Sequence, residues 1–258
     1  MMPRIFHFIF GLKPQPQEFH LVHYLCILSC LEVNHPSAVF FYFRREPLGP
    51  YWERIRRFVK AVRVSPPENT RGGQVHHAHQ SDFLRLEILN ARGGVYADID
   101  TIFVRELPEG LYDSHFVMGK EGQHGLCNAF IMARKASFFG TRWLADMPGV
   151  FGSSWNYHSI VYPGKLALKF PKSIRIEPQE SFTKHLWDEK GLHDLYVGRD
   201  THLEKSYSLH LWASLAWDKH LAGMTEDTIR DGSSTYAWIA RRYLSGDSRD
   251  GSKGESEA

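Results

Sequence analysis

The 258 residues are 43% hydrophobic and 14% aromatic, which supports one sizeable core and excludes a disordered chain. Thirty-one basic against 29 acidic residues give a net charge of +2, so composition points away from nucleic acid. The three cysteines, Cys26, Cys30 and Cys127, follow no disulfide or zinc spacing and are expected as buried thiols in a reducing compartment.

Residues 4–10 (RIFHFIF) form a short apolar β-type run that Gly11 and Pro14 end, which predicts a buried strand leading into a loop. In residues 18–33, Leu21, Tyr24, Leu25, Leu28 and Leu31 recur at helical spacing. Residues 38–43 (AVFFYF) read as a second strand, 51–60 as an amphipathic helix and 61–64 as a third strand. The basic cluster Arg54, Arg56 and Arg57 is expected on the solvated face of that helix. Alternating strands and helices predict an α/β domain with a mostly parallel central sheet. Residues 65–78, with Pro66, Pro67, Gly72 and Gly73, are loop chemistry. A helix is expected over 81–90, stopped by Gly93 and Gly94, and a strand over 95–104 interrupted by two carboxylates. Further apolar runs lie at 115–119 and 128–133. Residues 245–258 hold no large apolar side chain and read as a disordered tail, leaving 1–244 as one domain.

The chemistry sits in HQSDFLRLEILNARGGVYADIDTIFV, from His79 to Val104. Asp98 and Asp100 are two apart, so on an extended chain their side chains share a side. They follow an apolar run, at the strand end where open α/β sheets bind ligands. Two hard oxygen donors suit Mn²⁺ or Mg²⁺, an ion that takes its remaining ligands from water and substrate phosphates. A pair of aspartates two apart is common in surface turns, and alone it would carry little. Its context carries more: unpaired carboxylates are costly between Val95 and Ile102. Asp82 and Arg85 stand three apart on one face of the preceding helix. They read either as a surface ion pair or as donor-sugar contacts, Asp82 accepting hydroxyls and Arg85 reaching a phosphate or sugar oxygen.

The block SDFLRLEILNARGGVYADID resembles the glycosyltransferases with a sugar-binding region containing a DXD motif, which are similar to glycosyltransferase family 32 and, more distantly, to the clostridial glucosylating toxins. That pattern is a helix with (A/S)-D-x-x-R, then G-G-x-Y, then D-x-D. It stands here as Ser81, Asp82 and Arg85, then Gly93, Gly94 and Tyr96, then Asp98 and Asp100. The resemblance extends over about residues 4–215. It implies a GT-A fold, a Rossmann-like nucleotide-diphospho-sugar transferase. It implies a metal-dependent hexosyltransferase-like enzyme that moves a sugar from a UDP- or GDP-sugar to a hydroxyl acceptor, with retention of configuration. Such an acceptor is a carbohydrate, a lipid-linked sugar or another alcohol. The resemblance places Asp98, Asp100 and Arg85 in catalysis. Around the donor it places Phe10, Asp82, Gly94, Tyr96, Asn128 and Trp212. His210, in Ser-Leu-His-Leu-Trp, becomes the third metal ligand beside Asp98 and Asp100, with Trp212 covering the diphosphate or donating its indole N–H.

Two positions depart from the family pattern. Phe10 stands where relatives carry a base-stacking Trp, and plain core packing is its other reading. A Gly-Pro-Gly loop is replaced by a stretch holding Trp155, Asn156, Tyr157, Tyr162 and Pro163, expected to shape the acceptor side. A module that binds nucleotide sugar or carbohydrate without catalysis is the alternative function. A two-carboxylate glycoside hydrolase is a third reading, although its carboxylates would flank a sugar rather than grip one ion. No signal-peptide pattern opens the chain, and no run reaches the ~18 apolar residues of a membrane span. A cytoplasmic protein that meets membrane only through its acceptor is therefore expected.

Overall fold

The computed structural model describes residues 1–66, 69–70, 73–74, 76–152 and 154–244. The expected tail over 245–258 lies outside them, as do Pro67 and Gly72 of the expected loop. The chain opens with β1 (Ile5–Ile9), α1 (Leu21–Asn34), β2 (Ala38–Phe43), α2 (Pro50–Ile55) and β3 (Lys60–Arg63). Two short strands, β4 (Asn69–Thr70) and β5 (Gly73–Gln74), pair where a loop was expected. Then come α3 (His77–Arg92), β6 (Gly94–Ala97), β7 (Thr101–Phe103), α4 (Glu109–Tyr112), β8 (Phe116–Glu121) and β9 (Gly125–Ala133). The remainder is α5 (Phe138–Val150), α6 (Tyr162–Lys169), β10 (Arg175–Glu177), α7 (Glu189–Tyr196), β11 (Ser208–His210), α8 (Ala213–Ala216), α9 (Glu226–Asp231) and α10 (Thr235–Leu244).

The main sheet has the order β10-β8-β9-β6-β1-β2-β3. β1 runs parallel to β2 and β6, β2 to β3, and β8 to β10, while β9 runs antiparallel to β6 and β8. All the strands but β9 therefore point one way, and their carboxyl ends share one edge. This is the mostly parallel α/β sheet the alternating pattern predicts. Period-two alternation sorts the side chains between two layers. Phe6, Phe8, Val39, Phe41, Val95 and Ala97 pack on the side of α1. Tyr42, Tyr96, Met118 and Ile131 pack on the side of α3 and α5. Cys26, Cys30 and Cys127 are buried free thiols.

α3 begins four residues earlier than the apolar pattern predicts, because the His76 ring accepts from the Ala78 N–H at 3.3 Å and caps it. It ends where expected, at Gly93, with φ +68°. The next glycine answers a steric demand. Gly94 has φ +103°, and a Cβ there would lie 2.5 Å from the Ile5 carbonyl oxygen and 2.7 Å from Ile5 Cγ1. The close approach of β6 to β1 requires its hydrogen. Of the basic cluster, Arg56 and Arg57 are exposed as expected, Arg56 pairing with Glu46 and Glu53 and Arg57 lying over the Phe58 ring, whereas Arg54 is half-buried over the Tyr24 and Tyr51 rings and bonds Glu226. α2, however, stops at Ile55, and Arg56–Phe58 is a 3₁₀ turn.

His7 ties three elements under the sheet. Its Nε2–H donates to the Gly93 carbonyl at 2.8 Å, so Nδ1 is the acceptor and takes the Tyr42 hydroxyl at 3.2 Å. Burial and the nearby Arg92 lower its pKa from 6.5 to about 4, against the pull of the Gly93 carbonyl. The imidazole is neutral in the fold and ordinary in the unfolded chain. Its contribution is complete above pH 6.5 and is lost as pH falls towards 4, because the unfolded state binds the proton first. Stability should therefore drop by up to about 3 kcal/mol between those pH values. Urea midpoints in His7→Leu should fall less steeply over the same range than in the wild type; identical slopes would remove His7 as the cause. A second expectation concerns Gly94. Gly94→Ala should lose at least ~2 kcal/mol of unfolding free energy. Gly149→Ala, where a Cβ meets nothing within 4 Å, should stay within about 0.5 kcal/mol of the wild type.

Candidate active site

The two aspartates do not sit on one extended strand. β6 ends at Ala97, and Asp98–Asp100 form a turn closed by Thr101 N–H donating to the Asp98 carbonyl at 2.9 Å. β7 then leaves the main sheet and pairs antiparallel with β11. The predicted run over 95–104 is thus two strands in two sheets. The turn, rather than strand alternation, brings the carboxylates together.

The pairing of β7 with β11 sets His210 opposite Thr101 in register. His210 Nε2 lies 3.1 Å from Asp100 Oδ1 and 3.7 Å from Asp98 Oδ2. The three residues offer ligand-type atoms that all lie within 4.8 Å of one another. Asp100 is further fixed by the Ala213 N–H on Oδ2 at 2.7 Å, and its carbonyl accepts from Leu211 N–H. Burial pushes the Asp98 carboxyl up, opposed by Arg85, and the charge of Asp100 adds to the rise. Burial would lift Asp100 too, but His210 and the Ala213 N–H outweigh it and hold it at about 2. His210 is raised, Asp100 and Asp98 prevailing over its burial. The buried Asp100, the half-buried Asp98 and the imidazole together could hold a divalent cation. The buried Nδ1 of His210 has no hydrogen-bond partner, so the ring is not committed to the protein through that atom.

Behind this triad stands Arg85, 4% exposed, on α3. Nη1 donates to the Asn128 carbonyl at 2.7 Å and Nε to the Ser81 carbonyl at 3.1 Å. Nη2 donates to Ser81 Oγ at 3.0 Å and lies 3.2 Å from Asp82 and 3.4 Å from Asp98. Its plane rests over the Tyr96 ring, 4.6 Å from the centroid, and Tyr96 Oη donates to Asp98 Oδ1 at 2.5 Å. Burial opposes its charge, but Asp98, Tyr96 and Asp82 raise its pKa above the ordinary value. Arg85 is directed at protein oxygens, not at open space where a phosphate would lie.

Asp82 is likewise surrounded. Asn128 Nδ2 donates to Oδ1 at 2.7 Å, and His158 Nε2 donates to Oδ2 at 2.9 Å. Burial works against its ionised form, yet Arg85 and His158 outweigh burial and lower its pKa. Asn128 lies within β9, not at a strand start, and its side chain is aimed at Asp82. The composite of Asp82, Arg85, Tyr96, Asp98 and Asn128 is thus one hydrogen-bonded network.

Three predicted positions have structural duties of their own. Gly94 sits at the opposite end of β6 from Asp98, where packing against β1 explains it. The indole N–H of Trp212 donates to the His185 carbonyl at 2.8 Å, so it does not point at a ligand. The indole ring does meet His210 edge-on, 4.1 Å between centroids. Phe10, half-buried just past the carboxyl end of β1, packs against Phe19 and His23. The site also holds residues that sequence reasoning missed. His158, fully buried, is anchored by Trp143 Nε1 donating to its carbonyl at 2.9 Å. It joins Asp82 and His79 in a second group of ligand-type atoms within 4.8 Å. His79 could have been found, since it lies three residues before Asp82 on the same helix. His158 gave no signal, because it falls in the stretch that departs from the family pattern.

Residues 58–117 match the family described as the glycosyltransferase sugar-binding region containing DXD motif, a span that holds α3 and the Asp98–Asp100 turn. Glucan organizing enzyme 1 of Cryptococcus neoformans var. grubii is 30% identical over 263 residues, covering 95% of this chain and 71% of that protein. The initiation-specific alpha-1,6-mannosyltransferase of Candida albicans is 43% identical over 75 residues, 29% of this chain and 17% of that protein. Among solved structures, the glycosyltransferase GlyE of Streptococcus pneumoniae TIGR4 superposes with a TM-score of 0.52 at 11% identity, covering 99% of this chain and 66% of that one. Fold and site together define a GT-A-type glycosyltransferase. The chain belongs to the glycosyltransferase family whose sugar-binding region contains the DXD motif. Among the described residues, no helix is long and apolar enough to cross a membrane.

Removing Arg85 would leave the buried Asp82 and the half-buried Asp98 without their shared cation. Arg85→Met should lose about 3–5 kcal/mol of stability, read from urea unfolding. A loss under ~1 kcal/mol would show that the network does not depend on it.

Proposed function

We propose that this chain moves a sugar from a UDP- or GDP-sugar to a hydroxyl acceptor, with residues 1–244 as a single catalytic domain. A divalent cation would be held by Asp98, Asp100 and His210. The observation that carries the reading is the convergence of these three side chains at the carboxyl edge of the sheet. An imidazole among carboxylates favours Mn²⁺ over Mg²⁺, which prefers an all-oxygen shell. A cation held by these residues would supply positive charge to offset the negative charge that builds on the donor diphosphate as its bond to the sugar breaks.

The protein's part is positioning. Tyr96 and Arg85 hold Asp98, and the Ala213 N–H holds Asp100, so the carboxylates keep their places as charge develops. Asp82 and Asn128, bonded to each other, would form the floor on which the donor sugar rests, with Arg85 acting through them. Phe10 would meet the base, and the Trp212 ring would cover the diphosphate. Retention of configuration is supported by the state of the nearby carboxylates. Asp82, Asp98 and Asp100 are all hydrogen-bonded within the site, and the departing phosphate would take the acceptor proton. The local likeness to a mannosyltransferase puts a mannosyl donor in the first screen. The acceptor would be a carbohydrate, a lipid-linked sugar or another alcohol.

Calorimetry of UDP and GDP with and without Mn²⁺ tests the reading. One nucleotide should bind only with Mn²⁺, and Asp100→Ala should abolish the heat while melting cooperatively. Nucleotide binding by Asp100→Ala equal to that of the wild type would sink the metal assignment. Slow hydrolysis of the sugar donor without acceptor separates a working transferase from a binding module, which would bind and leave the donor intact.

A further inference from the structure

One face of the molecule carries a combination of side chains that the reaction site does not use. No Asp or Glu stands between Asp146 and Glu177, while Lys165, Lys169, Lys172 and Arg175 do. The same face exposes large apolar side chains: Leu168 at 85%, Phe138 at 57% and Ile176 at 40%. Phe138 and Phe170 meet edge-on with centroids 5.0 Å apart. With Pro171 and Lys172 they line a hollow of about 550 Å³. Pro171 also belongs to a neighbouring groove of about 590 Å³ lined by Lys120, Leu168 and Ile176, so the two form one continuous surface.

A lone exposed leucine is ordinary. A contiguous apolar band bordered by cations of one sign is a mark of an interaction surface. The cations here are mainly lysines. Arg175 is already bonded to Glu177 and to the Gly110 carbonyl, and Asp146 to Arg142 and Tyr162. Lys165 donates to Tyr157 Oη at 3.3 Å and Lys169 lies over the Phe170 ring, and among the described residues neither they nor Lys172 form a salt bridge. Flexible ammonium groups of this kind suit many scattered anions rather than one planar, bidentate partner. Leu168 and Phe138 are the most exposed of the apolar members. Leu168 lies between buried Leu166 and Ala167 on one side and Lys169 on the other, at the end of α6. Point charges around exposed aliphatic and aromatic groups match the interfacial zone of an anionic bilayer. The groove also reaches Gly125 and Leu126, which precede Asn128 on the strand that carries it to Asp82. The surface is therefore continuous with the donor end of the sheet.

We infer that the face built by Phe138, Leu168, Phe170 and Ile176, with Lys169 and Lys172, docks this protein on an anionic lipid bilayer. The lysines meet headgroup phosphates, and Leu168 and Phe138 enter the acyl boundary. Neither nucleotide nor metal is involved, so the inference stands apart from the donor assignment.

Flotation of the full chain with phosphatidylcholine vesicles, and with vesicles of phosphatidylcholine and phosphatidylserine, tests it. The wild type should float with the anionic vesicles only, and raised salt should release it. The double charge reversal Lys169→Glu with Lys172→Glu should cut the bound fraction on the order of tenfold. Leu168→Ser should weaken binding several-fold at unchanged charge. Leu168, Lys169 and Lys172 are exposed, so all variants should melt like the wild type. Absence of flotation with anionic vesicles would overturn the inference. So would unaltered flotation of the charge-reversed variant, or a Leu168→Ser variant that binds as tightly as the wild type.

Discussion

The structure around the site depends on one buried guanidinium. Arg85 is placed beneath the sheet's carboxyl edge, and a buried cation requires counter-charge and acceptors in fixed places. It finds two carboxylates, Asp82 and Asp98, the carbonyls of Ser81 and Asn128, and the face of Tyr96. These partners come from α3, β6, β9 and the turn after β6. Satisfying one side chain thus fixes the relative positions of a helix, two strands and the first aspartate of the motif. Charge-assisted bonds to a planar fork tolerate little error in angle, so the arrangement is rigid as well as paired.

The second constraint is topological. Alternation along β6 sends Val95 and Ala97 to the α1 layer and Tyr96 to the α3 layer. Tyr96 then lies between Arg85 and Asp98, which is why the Gly-Gly-x-Tyr element precedes the aspartates. The chain must leave the sheet immediately afterwards, since Asp98–Asp100 turn and β7 pairs elsewhere. That departure makes room for β11, and β11 carries His210 to a position 110 residues from Asp100 in sequence. A site made from one local turn and one distant strand is therefore held by two kinds of force. The turn depends on side-chain bonds to Arg85 and Tyr96. The distant ligand depends on backbone register between β7 and β11.

Glycines show how the same motif serves packing and chemistry at once. Gly93 ends α3, and Gly94 lets β6 lie against β1. Neither needs a ligand to explain it. Their fixed spacing before Tyr96 and Asp98 reflects a helix that must stop and a strand that must start within two residues. His7 fastens the same junction from below, through the Gly93 carbonyl and Tyr42.

Much of this was readable in the sequence. The strands at 5–9 and 38–43, helix α1, the stop at Gly93 and the order of α/β elements follow from periodicity and punctuation, which are local properties. The composite of Asp82, Arg85, Tyr96, Asp98 and Asp100 is also local, within 19 residues, and it carries the resemblance to the family. What the sequence could not settle was direction. It placed Asp98 and Asp100 on an extended strand, where the fold makes a turn, because apolar residues on both sides mimic one continuous run. It pointed Arg85 and the Trp212 indole N–H at a ligand, where tertiary packing supplies them with protein acceptors. His158 was invisible, since its partner Asp82 lies 76 residues away and nothing near it in sequence marks the pairing. The chain by itself determined which residue types make the site and in what order. Only the tertiary structure decided which of them face one another, because burial leaves each charged group to be satisfied by whichever partner the sheet brings within reach.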